Sequence, residues 1–229
     1  MRVLGIETST TTASLAIVSP ERTAFKSYVI AERRSSDLLV GIDELCKQLG
    51  LAPSELDAVA VGAGPGSFTG LRIGMATAKG IAFAAGKPLW AVSSLAALAS
   101  ATLVPSVCAV LDARRGEVFA GCYRGGAADR YPYELVGEER LVAPSELGAW
   151  AESQLADARF IGDAIEKYPE LAPLTDRWTV ATPSAVNVAL LATNGARVDV
   201  LTSGAPSYIR ASEAEIRYPD GVPGALRKR

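Results

Sequence analysis

A glycine-rich stretch followed directly by helix-forming residues, between Gly62 and Gly86, constrains the fold more than any other feature. Residues 62–70 contain four glycines and one proline in nine positions, a composition that predicts irregular structure. The residues that follow contain no proline and are good helix formers until the stop signal Gly86-Lys87-Pro88. Since residues 57–61 are predicted as a strand, the unit is a strand, a glycine loop and a helix.

This order is typical of phosphate-binding sites, because the N-terminus of a helix presents unpaired amides to an anion. Two well-known motifs do not fit. A Walker loop requires a lysine directly after its last glycine, whereas Leu71 follows Gly70. The dinucleotide-binding motif requires G-x-G-x-x-G, whereas the glycine after Gly64 and Gly66 comes one residue late. A tight turn that packs the helix closely on a sheet is the open alternative.

The predicted helix carries small residues four positions apart on two of its sides. One side has Gly70, Gly74 and Ala78, and the other has Ala76, Gly80 and Ala84. A glycine within a helix costs about 0.5–1 kcal/mol relative to alanine, so these glycines require a packing reason. Only Arg72 and Lys79 are charged between residues 70 and 85. A helix of this kind is buried on most sides, either by its own domain or by a partner.

Composition limits the class of protein. The chain has 229 residues, 49% hydrophobic and 21% charged, with a formal net charge of −2, which predicts one large or two small globular domains. The charge argues against autonomous nucleic-acid binding. No apolar run is long enough for a membrane span, and the N-terminus does not resemble a signal peptide. Three cysteines without a C-x-x-C pair, Cys46, Cys108 and Cys122, indicate buried thiols and a cytoplasmic protein.

The chain contains no histidine. Mechanisms that need a histidine base, a Ser-His-Asp triad or a histidine-ligated metal are therefore excluded. We expect no metal site and no cofactor.

The order of predicted elements indicates a duplicated α/β domain. Strands are predicted at residues 2–7, 13–18 and 21–30, a helix at 37–49 after Ser35-Ser36, strands at 57–61 and 89–92, and helices at 70–85 and 95–101. Strands at 107–111 and 117–123, joined by a polar turn that begins at Asp112, repeat the plan of the first hairpin. An extended segment at 135–141, a strand at 159–162, helices at 144–155, 163–168 and 185–193, and a loop at 203–229 complete the prediction. We expect two subdomains, 1–104 and 105–229.

The turn after the first strand is rich in hydroxyl groups. Its residues, Glu7, Thr8, Ser9 and Thr10, resemble the first phosphate-binding hairpin of the actin, sugar kinase and Hsp70 superfamily. In that superfamily the turn amides hold a nucleotide phosphate and the acid engages magnesium. The resemblance implies a phosphate or nucleotide turn, or a vestige of one, at these residues and at Asp112. A plain turn is the alternative.

Several segments together resemble one family, TsaB, also called YeaZ. They are residues 4–10, the segment AVGAGPGSFTGLRIG at 60–74 with 78–80, residues 91–95, residues 111–118 and the late PSYIR at 206–210. The resemblance implies an actin-like fold with duplicated ribonuclease H-like domains. It further implies a subunit of the bacterial machinery that makes N6-threonylcarbamoyladenosine at position 37 of tRNA.

The resemblance implies that this chain does no chemistry itself. In the paralogous catalytic subunit, TsaD, an H-x-x-x-H pair helps to hold a metal. The aligned residues here are Ser94 and Leu98, and leucine cannot bind a metal while a serine hydroxyl is a poor ligand. The family's usual histidine before the first amphipathic helix is Ser35 here.

The resemblance also implies partners. TsaB pairs with TsaD, or with itself, through its first two helices, it helps to dock the ATPase TsaE, and it meets tRNA only through the complex. The implied contact residues are Leu38, Leu39, Ile42 and Leu45 in the first helix and Gly70, Leu71, Gly74, Met75 and Ala78 in the second.

Two other functions are alternatives to this one. A small actin-like ATPase or kinase could grip phosphates at the two acid-bearing turns, with Glu7 or Asp112 near magnesium, but no adenosine motif and no catalytic base are evident. A protease would need a nucleophile with a base or a metal, and the sequence indicates neither.

Overall fold

The helices and strands follow the predicted alternation closely. The computed structural model describes residues 1–29, 37–125, 134–195, 197–201, 206, 207 and 209. The first half comprises β1 (Val3–Glu7), β2 (Thr12–Val18), β3 (Thr23–Val29), α1 (Asp37–Leu49), β4 (Ala58–Gly62), α2 (Phe68–Ala85), β5 (Leu89–Val92) and α3 (Ser94–Ala99). The second half comprises β6 (Ser106–Asp112), β7 (Val118–Arg124), β8 (Glu134–Val142), α4 (Leu147–Gln154), β9 (Arg159–Gly162), β10 (Trp178–Thr179), α5 (Ala185–Thr193) and β11 (Val198–Asp199). Short 3-10 helices occupy Pro53–Glu55, Pro144–Glu146, Ala164–Glu166 and Pro169–Arg177.

The two halves build sheets with the same plan. Within the described residues, the first sheet has the order β11-β5-β4-β1-β2-β3 and the second the order β10-β9-β6-β7-β8. In each, three antiparallel strands are extended by parallel pairing of the fourth strand with the first, β4 with β1 and β9 with β6. The parallel pairs need a helical crossover, which α1 and α4 supply. The predicted fold class, an actin-like α/β protein with duplicated ribonuclease H-like domains, is confirmed.

Helices cover both faces of the first sheet. Leu38, Ile42 and Leu45 recur at helical spacing, and they bury one side of α1 in a core shared with α2. On the opposite face, α5 packs its apolar side on β1, β2, β4 and β5. Gly5 permits this approach, because a Cβ there would lie 2.1 Å from the backbone oxygen of Ala185.

The last helix of each half packs on the sheet of the other half. Leu95 and Leu98 of α3 lie in a core with β6 and β7, whereas α5, from the second half, covers the first sheet. The short strand β11 also joins the first sheet, by pairing with β5. A domain boundary at 104/105 stays a prediction. Helix α5 and strand β11 follow that boundary in the chain, yet they pack with the first sheet.

Several helix and strand boundaries in the structure differ from the predicted ones. Helix α2 begins at Phe68, inside the stretch predicted as irregular, because the Ser67 side chain caps it by accepting the Gly70 N–H. The two-residue strands β10 and β11 and the 3-10 helix Pro169–Arg177 were not predicted. The end of the predicted third strand at residue 30, the cap at Ser35-Ser36 and nearly all of the loop predicted at 203–229 lie outside the described residues.

Candidate functional site

The carboxylate of Glu7 is the most buried charged group among the described residues. Glu7 ends β1 and is 1% exposed. The Ser9 N–H donates to its Oε1 at 2.6 Å, and the Ser94 hydroxyl donates to its Oε2 at 2.9 Å. A Cβ at Gly62 would lie 2.0 Å from Oε2, so the glycine at the end of β4 makes room for the carboxylate.

Burial dominates the electrostatics of this group. Desolvation raises the pKa of Glu7 above its ordinary value, while the hydrogen bonds from Ser9 and Ser94 oppose the rise. The two donors are an amide and a hydroxyl rather than a cation. The site therefore favours the protonated carboxyl more than an exposed glutamate would.

The glycine loop and α2 pack directly on the turn after β1. The Ser67 N–H donates to the Ser9 carbonyl at 2.6 Å, and the Thr8 hydroxyl donates to the Gly70 carbonyl at 2.9 Å. A Cβ at Gly70 would lie 2.1 Å from the Thr8 carbonyl oxygen, and one at Gly74 would lie 2.2 Å from Thr8 Oγ1. These glycines thus have a packing reason within the chain, which favours the tight-turn interpretation over the phosphate-binding one.

The remaining turn residues have different surroundings. Thr8 and Ser9 are buried, whereas Thr10 is half-buried and its hydroxyl donates to the Thr12 carbonyl. The Ser9 hydroxyl oxygen is buried without a hydrogen-bond partner.

Asp112, the matching acid of the second half, belongs to a separate network. Its carboxylate accepts from Lys167 Nζ at 2.6 Å, from the Tyr168 hydroxyl at 2.7 Å and from the Arg114 N–H at 2.7 Å. Burial acts to raise the pKa of Asp112, but these hydrogen bonds outweigh it and hold the pKa below its usual value. Asp112 and Glu7 share none of these hydrogen-bond partners, so the structure does not bring the two acids into one network.

The residues aligned with metal ligands serve in packing and hydrogen bonding. Ser94, at the start of α3, donates to Glu7 and accepts from the Gly64 N–H at 3.3 Å. Leu98 is fully buried in the core between α3 and the second sheet. Among the residues that the structure describes, no group of three or more histidine, cysteine, aspartate or glutamate side chains could hold a metal.

Most of the predicted partner-binding residues are buried in the chain's own core. Eight of the nine are buried, and Leu39, 56% exposed, is the exception. The buried residues are Leu38, Ile42, Leu45, Gly70, Leu71, Gly74, Met75 and Ala78. The inward side of α2 is thus the side with Gly70, Gly74 and Ala78.

The outward sides of α1 and α2 carry exposed apolar residues. Val40 of α1 is 55% exposed and Phe83 of α2 is 83% exposed. Ala76, Gly80 and Ala84, the second row of small residues, are exposed on α2, and no atom lies within 4 Å of a Cβ built at Gly80. We use the name outer apolar surface for the exposed apolar residues of the two helices taken together, Leu39, Val40, Ala76, Gly80 and Phe83. Val40 and Phe83 were not among the predicted partner-binding residues, and the prediction of the partner site stays a prediction.

The late motif at 206–210 touches the glycine loop. The Ser207 N–H donates to the Ala63 carbonyl at 2.7 Å, and the Ser207 carbonyl oxygen lies 2.8 Å from a Cβ built at Gly64. Ile209 packs against the core around α3. Tyr208 and Arg210 lie outside the described residues.

Comparison with known protein families gives a consistent assignment. A family model described as TsaD, tRNA N6-adenosine threonylcarbamoyltransferase, matches residues 28–218. Two proteins called tRNA threonylcarbamoyladenosine biosynthesis protein TsaB are similar to this chain. The one from Haemophilus influenzae is 35% identical over 123 residues, and the one from Bacillus subtilis is 34% identical over 128 residues. These alignments cover 52% and 54% of this chain, and the chain spans about half the length of the curated relatives it matches, 52% and 56%.

Solved structures match over more of the chain. A Pseudomonas aeruginosa structure, described as an uncharacterized protein with similarity to peptidase YeaZ, is 30% identical with a TM-score of 0.76, covering 91% of this chain and 99% of that one. A second, described as YeaZ from Pseudomonas aeruginosa, is 28% identical with a TM-score of 0.73, covering 90% and 99%. No helix in the described ranges is long and apolar enough to cross a membrane.

Proposed function

The chain belongs to the TsaB (YeaZ) family, and from this premise we propose that it is a non-catalytic subunit of the complex that forms N6-threonylcarbamoyladenosine at position 37 of tRNA. In this proposal it binds and supports the catalytic subunit TsaD in the cytoplasm. The ATPase TsaE docks on the resulting assembly, and tRNA is met only through the complex.

The chemistry of the chain supports a role without catalysis of its own. No histidine is present. The acid at the end of β1, Glu7, is enclosed and hydrogen-bonded by Ser9 and Ser94 of the same chain. At the position aligned with the second metal ligand, the leucine side chain of Leu98 has no atom that could coordinate a metal.

The outer apolar surface is the observation that carries the proposal of a partner. Phe83 is 83% exposed on a helix whose outward neighbours, Ala76 and Gly80, are small. Small residues let a second helix approach closely around the ring, and exposed aromatic residues are enriched at the centres of interfaces. Burying the phenylalanine fully would stabilise a complex by about 1.5–3 kcal/mol. We therefore propose the same two helices, α1 and α2, as the partner site. The residues that contact the partner are the exposed ones of the outer apolar surface, not the buried ones that the sequence predicted.

A charge placed in this surface tests the assignment. Phe83→Asp adds a carboxylate at an exposed position, so the fold should be retained while TsaD binding weakens at least about tenfold, equivalent to about 1.4 kcal/mol. Leu103→Asp is a matched control, because Leu103 is 88% exposed and lies outside α1 and α2. Affinity for purified TsaD, measured by calorimetry, should fall for the first variant only. Equal affinities for the two variants would remove α2 from the interface.

Reconstitution tests the function itself. Threonylcarbamoyladenosine formation on tRNA is measured with TsaD, TsaE and threonylcarbamoyl-adenylate as the donor, in the presence and absence of this chain. The proposal predicts loss of product without it, and no turnover by the chain alone. Light scattering of the isolated chain and of its Phe83→Asp variant tests whether the same surface also forms a homodimer.

A further inference from the structure

Two of the three cysteines face each other across the centre of the second sheet. Cys108 of β6 is directly opposite Cys122 of β7 in the antiparallel register. Their Sγ atoms are in direct contact. The two residues are 14 positions apart in sequence, and pairing within the β6–β7 hairpin is enough to bring them together.

Both side chains point into the core beneath α4. Cys108 and Cys122 are 0% exposed and pack with Val110, Ala120 and Leu147. Single buried cysteines behave as small apolar residues, and Cys46 in α1 is such a case. Two cysteines directly opposite each other can instead form a disulfide. Directly opposite residues of antiparallel strands have Cβ atoms about 4.5–5.5 Å apart, and the Cβ atoms of a disulfide are about 3.5–4.5 Å apart.

We propose that Cys108 and Cys122 are a reversible dithiol–disulfide pair, a site of two-electron oxidation within the second sheet. This inference does not depend on the proposed function. The strands already hold the two sulfur atoms together, so the bond requires only a small adjustment of the side chains. The enclosure favours a small oxidant, a peroxide, and larger thiols reach the pair only when the sheet opens locally.

The reaction balances with hydrogen peroxide as the oxidant. One thiolate sulfur attacks a peroxide oxygen, the O–O bond breaks, and a sulfenic acid and one water are formed after protonation. The sulfur of the second cysteine then attacks the sulfenic sulfur, the S–O bond breaks, the S–S bond forms, and a second water leaves. Two thiols and one peroxide thus give one disulfide and two waters, and a dithiol reductant reverses the oxidation.

Burial makes the reaction slow. Desolvation and the neighbouring sulfur raise the pKa of Cys108 well above its usual value, which lowers the fraction of thiolate. We therefore expect oxidation over hours, during local opening of the sheet, rather than within seconds.

Peptide mapping of the full chain tests the pair. The protein is incubated with hydrogen peroxide, and in a second arm it is refolded from urea in a glutathione redox buffer. Both samples are unfolded in urea that contains N-ethylmaleimide, which alkylates free thiols, and are then digested with trypsin. The digestion places Cys108 in the peptide of residues 80–114 and Cys122 in the peptide of residues 116–124. The expected product is these two peptides joined by a disulfide, with Cys46 alkylated as a free thiol.

Thermal unfolding gives a second readout. The bond should raise the midpoint by about 6–12 °C for a protein of this size, and dithiothreitol should reverse the rise. Cys108→Ala and Cys122→Ala should each abolish it, whereas Cys46→Ala, the matched control, should retain it. Free thiols at both positions in both arms, or a rise that persists in Cys122→Ala, would overturn the proposal.

Discussion

Replacing Gly74 with alanine separates packing within the chain from ordinary helix propensity. Gly74 lies on the buried side of α2 and Gly80 on an exposed side, and both are helical glycines. A Cβ at Gly74 would lie 2.2 Å from Thr8 Oγ1, whereas no atom lies within 4 Å of a Cβ at Gly80. The same substitution in the same helix should therefore have opposite effects on stability.

The size of the effect follows from three contributions. Thr8 is 1% exposed, and its hydroxyl donates to the Gly70 carbonyl at 2.9 Å, so moving it leaves a buried hydroxyl unpaired at a cost of about 1–3 kcal/mol. Overpacking adds about 1–3 kcal/mol, and the helix preference for alanine returns about 0.5–1 kcal/mol. We expect Gly74→Ala to lower the free energy of unfolding by about 3 kcal/mol, and Gly80→Ala to raise it by about 0.5–1 kcal/mol.

Urea and thermal unfolding measure both changes. At about 2–4 °C per kcal/mol for a chain of this length, the midpoint of Gly74→Ala should fall by roughly 6–12 °C. Removing the Thr8 side chain should relieve the contact, so Gly74→Ala in a Thr8→Ala background should cost at least about 1 kcal/mol less than alone. If Gly74→Ala proves as stable as Gly80→Ala, α2 does not pack on this turn as described. The same geometry makes Gly74 unsuitable for testing partner binding, because a bulky residue there would disturb the fold first.

Two pH predictions follow from the buried acids. For Glu7, whose folded pKa is raised, protonation accompanies folding, so its contribution to stability is present at low pH and is lost as pH rises from the ordinary glutamate pKa to the raised one. Glu7→Gln, which mimics the protonated form, should flatten this part of the curve of unfolding free energy against pH, and an unchanged slope would contradict the assignment. For Asp112, whose folded pKa is lowered, the contribution is present above the unfolded pKa and is lost as pH falls through the folded one. Since Lys167 is half exposed, Asp112→Asn should cost only about 1 kcal/mol at neutral pH and less in acid, as urea titrations at both pH values would show.

Local signals in the sequence predicted most of the elements. The apolar spacing of α1, the stop at Gly86 and the serine before α5 lie within a few residues of what they specify, so no distant contact is needed to interpret them. The short strands β10 and β11 were missed because two residues carry no periodicity. Both exist only because a neighbouring strand, β9 or β5, offers an edge.

The exposed side of α2 could not be predicted from local sequence signals. Two rows of small residues on α2 are equivalent in the sequence, and the sequence prediction placed the partner on the row that contains Gly74. Thr8, in the turn after β1, takes that row inward through its contacts with Gly70 and Gly74. The side of α2 that is left exposed was therefore decided by a residue 62 positions away from Gly70.

The sequence by itself determined the repeated strand and helix order and the absence of imidazole chemistry, because each depends on residue identity and short-range spacing. Its resemblance to a known family implied the actin-like fold class. The tertiary structure alone decided which glycines make room for Glu7 and Thr8, and which side of α2 is left exposed. It also decided that Cys108 faces Cys122 in register. These last features depend on how distant strands and helices meet, and that arrangement is fixed only when the sheets and their covering helices pack together.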